Sequence, residues 1–211
     1  MQTADTLKEY RAELKQALDQ EFQRQALDNF AQAYPPGRAK AFAQTDIQKL
    51  ISTIAKRKDY AVQHMDELLE QFTAQAEAAG IQVHLAATDR EANAIIARIA
   101  KDSQCTNIVK SKSMTAEETL LNHALEESGL TVTETDLGEW IIQLREEGPS
   151  HMVMPAIHLS REEVSRLFTQ VTGKDQGTDI EALVKVARRE LRQRFVDADM
   201  GISGANFAIA E

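Results

Sequence analysis

The chain has 211 residues, 43% of them hydrophobic and 27% charged, a globular composition long enough to bury roughly 70% of its unfolded surface without a covalent staple. Its one cysteine, Cys105, excludes a disulfide framework and any cysteine-ligated zinc or iron–sulfur centre held by this chain alone. With no apolar run near the ~18 residues of a membrane helix and no signal-peptide core in its first residues, a cytoplasmic protein without a membrane span is expected.

The first third reads as helix. Leu7, Leu14, Leu18, Phe22 and Phe30 recur at spacings of three, four and their sums, one apolar stripe ending at the Pro35-Pro36-Gly37 break. Thr45 or Asp46 then caps a helix carrying Ile47, Leu50, Ile51 and Ile54. Asp59 opens a third, with Met65, Leu68, Leu69, Phe72 and Ala76 on its inner face and Gly80 as its stop. From Ile81 the texture alternates. Gln82–Ala86, Asn107–Lys110, Thr131–Thr135 and Met152–Pro155 read as short strands, separated by helical patterns near Asp89–Lys101, Thr115–Ser128 and Leu137–Glu146. After Ser160 come a short helix, a loop over Gly173–Thr178, a long helix from Asp179 to about Asp199, and a last strand over Asn206–Glu211. The expected fold class is therefore α/β: an N-terminal helical arm, residues 1–80, followed by a mostly parallel sheet with flanking helices, residues 81–211.

Charge is localised. Between Thr115 and Glu163 eleven Asp and Glu meet two Arg, so the whole net charge of −9 lies there and the remainder is balanced. A duplex-binding face needs the opposite sign, which argues against nucleic acid as a partner. On the late helix Lys185, Arg188, Arg189, Arg192 and Arg194 lie opposite Ile180, Leu183, Ala187, Leu191 and Phe195, a solvated or internally paired face.

Parallel α/β sheets bind ligands at the carboxyl ends of their strands. That rule selects the loop Lys110-Ser111-Lys112-Ser113-Met114-Thr115, whose lysines and hydroxyls precede a helix N-terminus and suit a small anion. Thr115 with Glu118 reads as a capping box, so the loop serves equally as a helix cap. Glu139, after the third strand, reads as a general acid or base or as a first-turn carboxylate answering the helix dipole. His151 and His158 flank the fourth strand, seven apart, which fits no metal pair; His158 lies at the carboxyl end and is the better functional candidate. Cys105 has no paired partner and reads as structural. The candidate ligand-binding set is Ser111, Lys112, Ser113, Thr115, Glu139, His158 and Glu211, with no metal and no assigned catalytic residue.

Three longer runs carry a resemblance. Val109–Glu118 (VKSKSMTAEE), Glu134–Leu144 (ETDLGEWIIQL) and Pro149–His158 (PSHMVMPAIH) resemble the lactate-utilisation iron–sulfur protein family of the B type. Ser160–Glu163, the run from Asp199 to Glu211 and the lead-in Lys58–Ala61 resemble the same family. The resemblance implies the fold of the glucosamine-phosphate deaminase, ribose-phosphate isomerase and coenzyme A transferase group, and ligand contacts at Ser111, Lys112, Ser113 and near Glu211. It also implies a part in oxidising L-lactate to pyruvate within a three-component cytoplasmic complex, with sister subunits as partners. Family members continue past the position of Glu211 into a cysteine-rich module that carries iron–sulfur clusters. This chain is therefore expected to be an N-terminal fragment with a truncated sheet and no cofactor of its own, marginally stable or associating through the cut edge. Two other readings stay open: a small-anion or phosphate-ligand domain in which Glu139 or Glu211 supplies acid–base chemistry, and a docking module acting through the Leu7–Phe30 stripe.

Overall fold

The computed structural model describes residues 6–204. Residues 29–87 form one unit, and the described residues on either side of them form a second.

Helix α1 (Leu7–Leu18) begins where Thr6 Oγ1 accepts from Glu9 N and the Glu9 carboxylate accepts from Thr6 N, a reciprocal capping box. It ends at Asp19, and α2 (Glu21–Ala41) follows. The expected stop at Pro35-Pro36-Gly37 is not there: α2 runs through both prolines. Proline's fixed φ is itself helical, so both residues fit the helical backbone, at the cost of two N–H donors. Asp46, whose carboxylate accepts from Lys49 N at 3.0 Å, starts α3 (Ile47–Gln63). Asp59 lies inside α3; the next helix, α4 (Met65–Ala78), opens at His64, whose ring stacks on Tyr60. Gly80, at φ +82, closes α4 as its sequence position foretold. The strand expected over Gln82–Ala86 does not form: these residues are mostly exposed and pair with no strand among the described residues.

In the second unit α5 (Asp89–Asp102), N-capped by Thr88, leads into β1 (Asn107–Lys110). The helix expected over Thr115–Ser128 is two helices, α6 (Met114–Glu118) and α7 (Leu121–Glu127), parted by Leu120 in the left-handed region at φ 52. Asn93 Nδ2 donates to Thr119 O at 2.7 Å and holds that break. Next come β2 (Thr131–Glu134), α8 (Leu137–Arg145), α9 (Arg161–Thr172), α10 (Ile180–Val196) and β3 (Met200–Ile202). The strand expected over Met152–Pro155 is a turn, fixed by His151 Nδ1 accepting from Val153 N and Met154 N, both at 3.1 Å. The strand expected over Asn206–Glu211 lies outside the described residues.

The three strands among the described residues are all parallel, in the order β2-β1-β3. Ile108 pairs with Val132 and Met200, and Lys110 with Glu134 and Ile202, so the residues of each set share one face. Ile108 and Val132 join Ala100, Ala116, Leu121 and Leu125 in one core, which α5, α6 and α7 close. Trp140, Phe168, Leu183, Val186 and Leu191 make a second core between α8, α9 and α10. The α10 arginines face solvent as expected, whereas Ile180 and Phe195 are exposed rather than inside.

Candidate functional site

At the carboxyl ends of β1 and β2 the apolar core gives way to charge. Lys110 and Glu134 are the last residues of adjacent strands in direct register, and their side chains meet on the α7 side of the sheet. Lys110 Nζ lies 2.7 Å from Glu134 Oε1 and 3.2 Å from Glu117 Oε1, although Lys110 is 0% exposed and Glu134 only 3%. Asn122 Nδ2, from α7, donates to the same Glu134 Oε1 at 2.6 Å. Burial holds the Glu134 carboxyl above the usual carboxylate range, against the opposing pull of its bonds to Lys110 and Asn122. Two atoms of this cluster, Glu134 Oε2 and Asn122 Oδ1, are buried with no hydrogen-bond partner.

Behind the cluster, the α8 side chain of Gln143 receives Glu134 N at 3.0 Å and donates to Val132 O at 2.7 Å. Its amide thus bonds the outer edge of β2 as a neighbouring strand does. Thr135 donates to Lys110 O through both its backbone N–H, at 2.9 Å, and its hydroxyl, at 3.0 Å, prolonging the β1–β2 ladder. At the other end of β1, Asp199 Oδ2 receives Thr106 N at 2.8 Å and Asn107 N at 2.9 Å. Those backbone bonds and the Thr106 hydroxyl hold the Asp199 carboxyl below its ordinary range.

The candidates read from sequence lie around this cluster. Lys112 Nζ is bound to Glu139 Oε1 in an ion pair, with Glu139 4% exposed. Ser111 Oγ donates to Ser203 Oγ at 3.1 Å. Ser113 Oγ accepts from Ala116 N at 3.2 Å and is the N-cap of α6, so the capping box expected at Thr115 and Glu118 is replaced by a cap two residues earlier, and Thr115 is exposed in the first turn. A Cβ on Gly204 would overlap Ser113, so that glycine lets the chain after β3 close over the cap. The loop's two lysines are both matched by carboxylates, so an anion binding there has to displace Glu139 or Glu134.

His158 is in a loop rather than at a strand end. Its Nδ1 lies 2.7 Å from Ser150 Oγ, which donates to Pro155 O at 3.0 Å, and its Nε2 lies 3.3 Å from Glu147 Oε2. Arg145 and His158 together hold the Glu147 carboxyl below the usual range, Arg145 more strongly. Glu211 lies outside the described residues. Sequence reasoning missed Glu134, Glu117, Asn122 and Gln143. The available signal was that Lys110 and Glu134 end two Val/Thr-containing strand runs with opposite charges.

Between α6, α7 and α8 the site opens into a cleft of about 680 Å³, with Glu117, Glu134, Glu139 and Glu147 on its walls and Leu121 and Ile142 between them. Cys105 lies in the core at the other end of the sheet, and among the described residues no group of three His, Cys, Asp or Glu side chains is placed to hold a metal. One buried thiol does not fit an iron–sulfur cluster, which takes several cysteine ligands.

A parallel α/β domain whose strand ends carry a charged cleft is what the fold and site define. Residues 69–211 match the LUD domain, and the chain belongs to that family. It is 40% identical over 206 residues to lactate utilization protein B of Oceanobacillus iheyensis, covering 96% of this chain and 42% of the relative. It is 40% identical over 200 residues to the protein of the same name in Exiguobacterium sp., covering 93% of this chain and 42% of that one. A Bacillus cereus namesake is 39% identical over 153 residues, 72% of this chain and 32% of its own length. The chain spans less than half the length of these curated relatives. No solved structure matches it. No described helix is long and apolar enough to cross a membrane.

Proposed function

We propose that this chain is the scaffold and docking part of an electron-transfer subunit that serves the oxidation of L-lactate to pyruvate in a cytoplasmic complex. The observation that carries the reading is 40% identity to lactate utilization protein B sustained over 96% of this chain. In this reading the iron–sulfur clusters belong to the longer protein, since Cys105 alone cannot ligate one, and lactate is oxidised elsewhere in the complex. The parallel β2-β1-β3 order supports the glucosamine-phosphate deaminase, ribose-phosphate isomerase and coenzyme A transferase fold group as its architecture. Docking on sister subunits is supported by the α1 stripe, on which Leu7, Leu14 and Leu18 are exposed and continue into Phe22 of α2.

The test is genetic and biochemical together. Deleting the gene should abolish growth on L-lactate as sole carbon source, and the intact gene should restore it. A copy lacking the residues before Tyr34 should no longer co-purify the sister subunits. Undiminished growth on L-lactate overturns the pathway assignment, and undiminished co-purification overturns the docking role of the arm.

A further inference from the structure

The run Pro149–His158 carries an arrangement that the lactate reading does not use. Three residues of the connection between α8 and α9, Glu147, Ser150 and His158, form one chain of contacts. Ser150 Oγ lies 2.7 Å from His158 Nδ1, and His158 Nε2 lies 3.3 Å from Glu147 Oε2. An ionised carboxylate only accepts, so Nε2 carries the proton of the neutral ring and Nδ1 is left as the bare acceptor. The Ser150 hydroxyl has one proton and two acceptors in reach, Pro155 O at 3.0 Å and the nearer Nδ1, and a rotation about Cβ–Oγ passes it from one to the other. Arg145 bonds Glu147 and keeps its carboxyl ionised, and Glu163, in the first turn of α9, acts on Arg145 in turn.

Such contacts on a loose loop would mean little. This loop is fixed from several sides. Pro155 sits so close to α8 that a Cβ on Gly138 would lie 2.8 Å from its ring, the His151 ring gathers two backbone N–H groups, and Ser160 caps α9. Ser150 and His158 are half-buried rather than sealed in the core. Glu147, Gly148 and Pro149 line the cleft, and Ser150 is the next residue.

The geometry points to Ser150 as a nucleophile served by His158, in a site that cleaves small uncharged acyl esters. Ser150 Oγ attacks the ester carbonyl carbon as its proton goes to Nδ1, and the bond to the alcohol oxygen breaks as that proton passes to the departing alcohol. Water then adds its oxygen to the acyl carbon and its proton to Nδ1, and the proton returns to Ser150 as the acid leaves. Glu147 is a positioning residue, which fixes the ring and faces the imidazolium that forms. The cleft selects the substrate: its seven glutamates, with no lysine or arginine on the lining, repel esters bearing a carboxylate or phosphate, while Leu120, Leu121 and Ile142 cover an acyl chain.

Incubating the full chain with a fluorophosphonate, an uncharged reagent that phosphonylates nucleophilic serines, and mapping the adduct by peptide mass spectrometry tests this. One adduct at Ser150 is expected, forming faster as pH rises and an imidazole loses its proton; both are read without any variant. The chain should also hydrolyse p-nitrophenyl acetate faster than the p-nitrophenyl ester of succinate, which keeps a free carboxylate. Among variants that circular dichroism shows folded, Ser150→Ala should form no adduct, and His158→Gln should slow labelling about a hundredfold or more and flatten its pH dependence. Glu147→Gln should slow it about tenfold or more, with Glu147→Asp recovering part of the rate. The proposal is overturned if Ser150 takes no adduct, if another serine is labelled in its place, if the rate does not change with pH, or if the succinate ester reacts faster. None of these outcomes depends on the lactate reading.

Discussion

Replacing Lys110 by Met tests whether the strand-end cluster is held by charge. Methionine keeps the length and nearly the volume of the lysine stem, so the change removes an ammonium and little packing. What remains is Glu134, 3% exposed, with its 2.7 Å partner gone, and Glu117, which lost a partner at 3.2 Å but is about a third exposed and rehydrates. Removing one member of a buried ion pair costs about 3–5 kcal/mol, almost all of it here from Glu134. For a chain of this size that lowers Tm by roughly 6–20 °C. Adding Glu134→Leu removes the stranded charge, and the double variant then lacks only the acceptor for Asn122 Nδ2, about 1–3 kcal/mol. The second substitution therefore stabilises the first. Glu134 is already raised above the carboxylate range, and without Lys110 it rises further, so Lys110→Met loses stability as pH increases through that range and recovers it in mild acid. Urea titrations of the four proteins of the cycle, at neutral and mildly acid pH, measure this. A Lys110→Met cost below about 1 kcal/mol, or a double variant no more stable than Lys110→Met, refutes the reasoning.

Four further outcomes are expected. Gln104 holds a left-handed φ of 56 after α5, and Gln104→Gly should raise stability by about 1 kcal/mol in a thermal melt. Gln143→Ala should cost about 1–3 kcal/mol by unsatisfying Glu134 N and Val132 O, and light scattering should show faster aggregation of the variant. Gly204→Ala should cost about 1–3 kcal/mol, because the added Cβ overlaps Ser113 and dislodges the α6 cap, measured by urea unfolding. Asp199 sits below its ordinary pKa, so its contribution is complete above about 3.9 and is lost as pH falls through the lower folded value; Tm of Asp199→Ala should fall less steeply with acid than that of the parent.

Much of the second unit was legible because local signals and tertiary context agree there. Asn107–Lys110 and Thr131–Thr135 are Val/Ile/Thr-containing runs bounded by polar residues, and both are strands, the second ending one residue short at Glu134. Asp136 and Ser160 start α8 and α9 with side-chain caps of ordinary sequence form. Periodicity failed where a side chain overrode it. The apolar run Met152–Pro155 is bent by His151, whose ring accepts two backbone N–H groups, and β3, only three residues long, pairs with β1 beside an Asp199 carboxylate that holds the start of β1. Composition drew attention to Lys110, at the end of β1, and Lys112, just after it, as free cations. Their partners lie 7, 24 and 27 residues away, at Glu117, Glu134 and Glu139, a pairing that only the register of the parallel strands and the start of α8 bring about.

The amide of Gln143 makes the outer edge of β2 less adhesive than a bare strand. Val132 O and Glu134 N are both held by that one side chain, so a strand arriving beside β2 at these two residues has to displace the amide before it can bond. A side chain of α8 thus does for the sheet what edge lysines and prolines do elsewhere: it raises the cost of the first contact between copies.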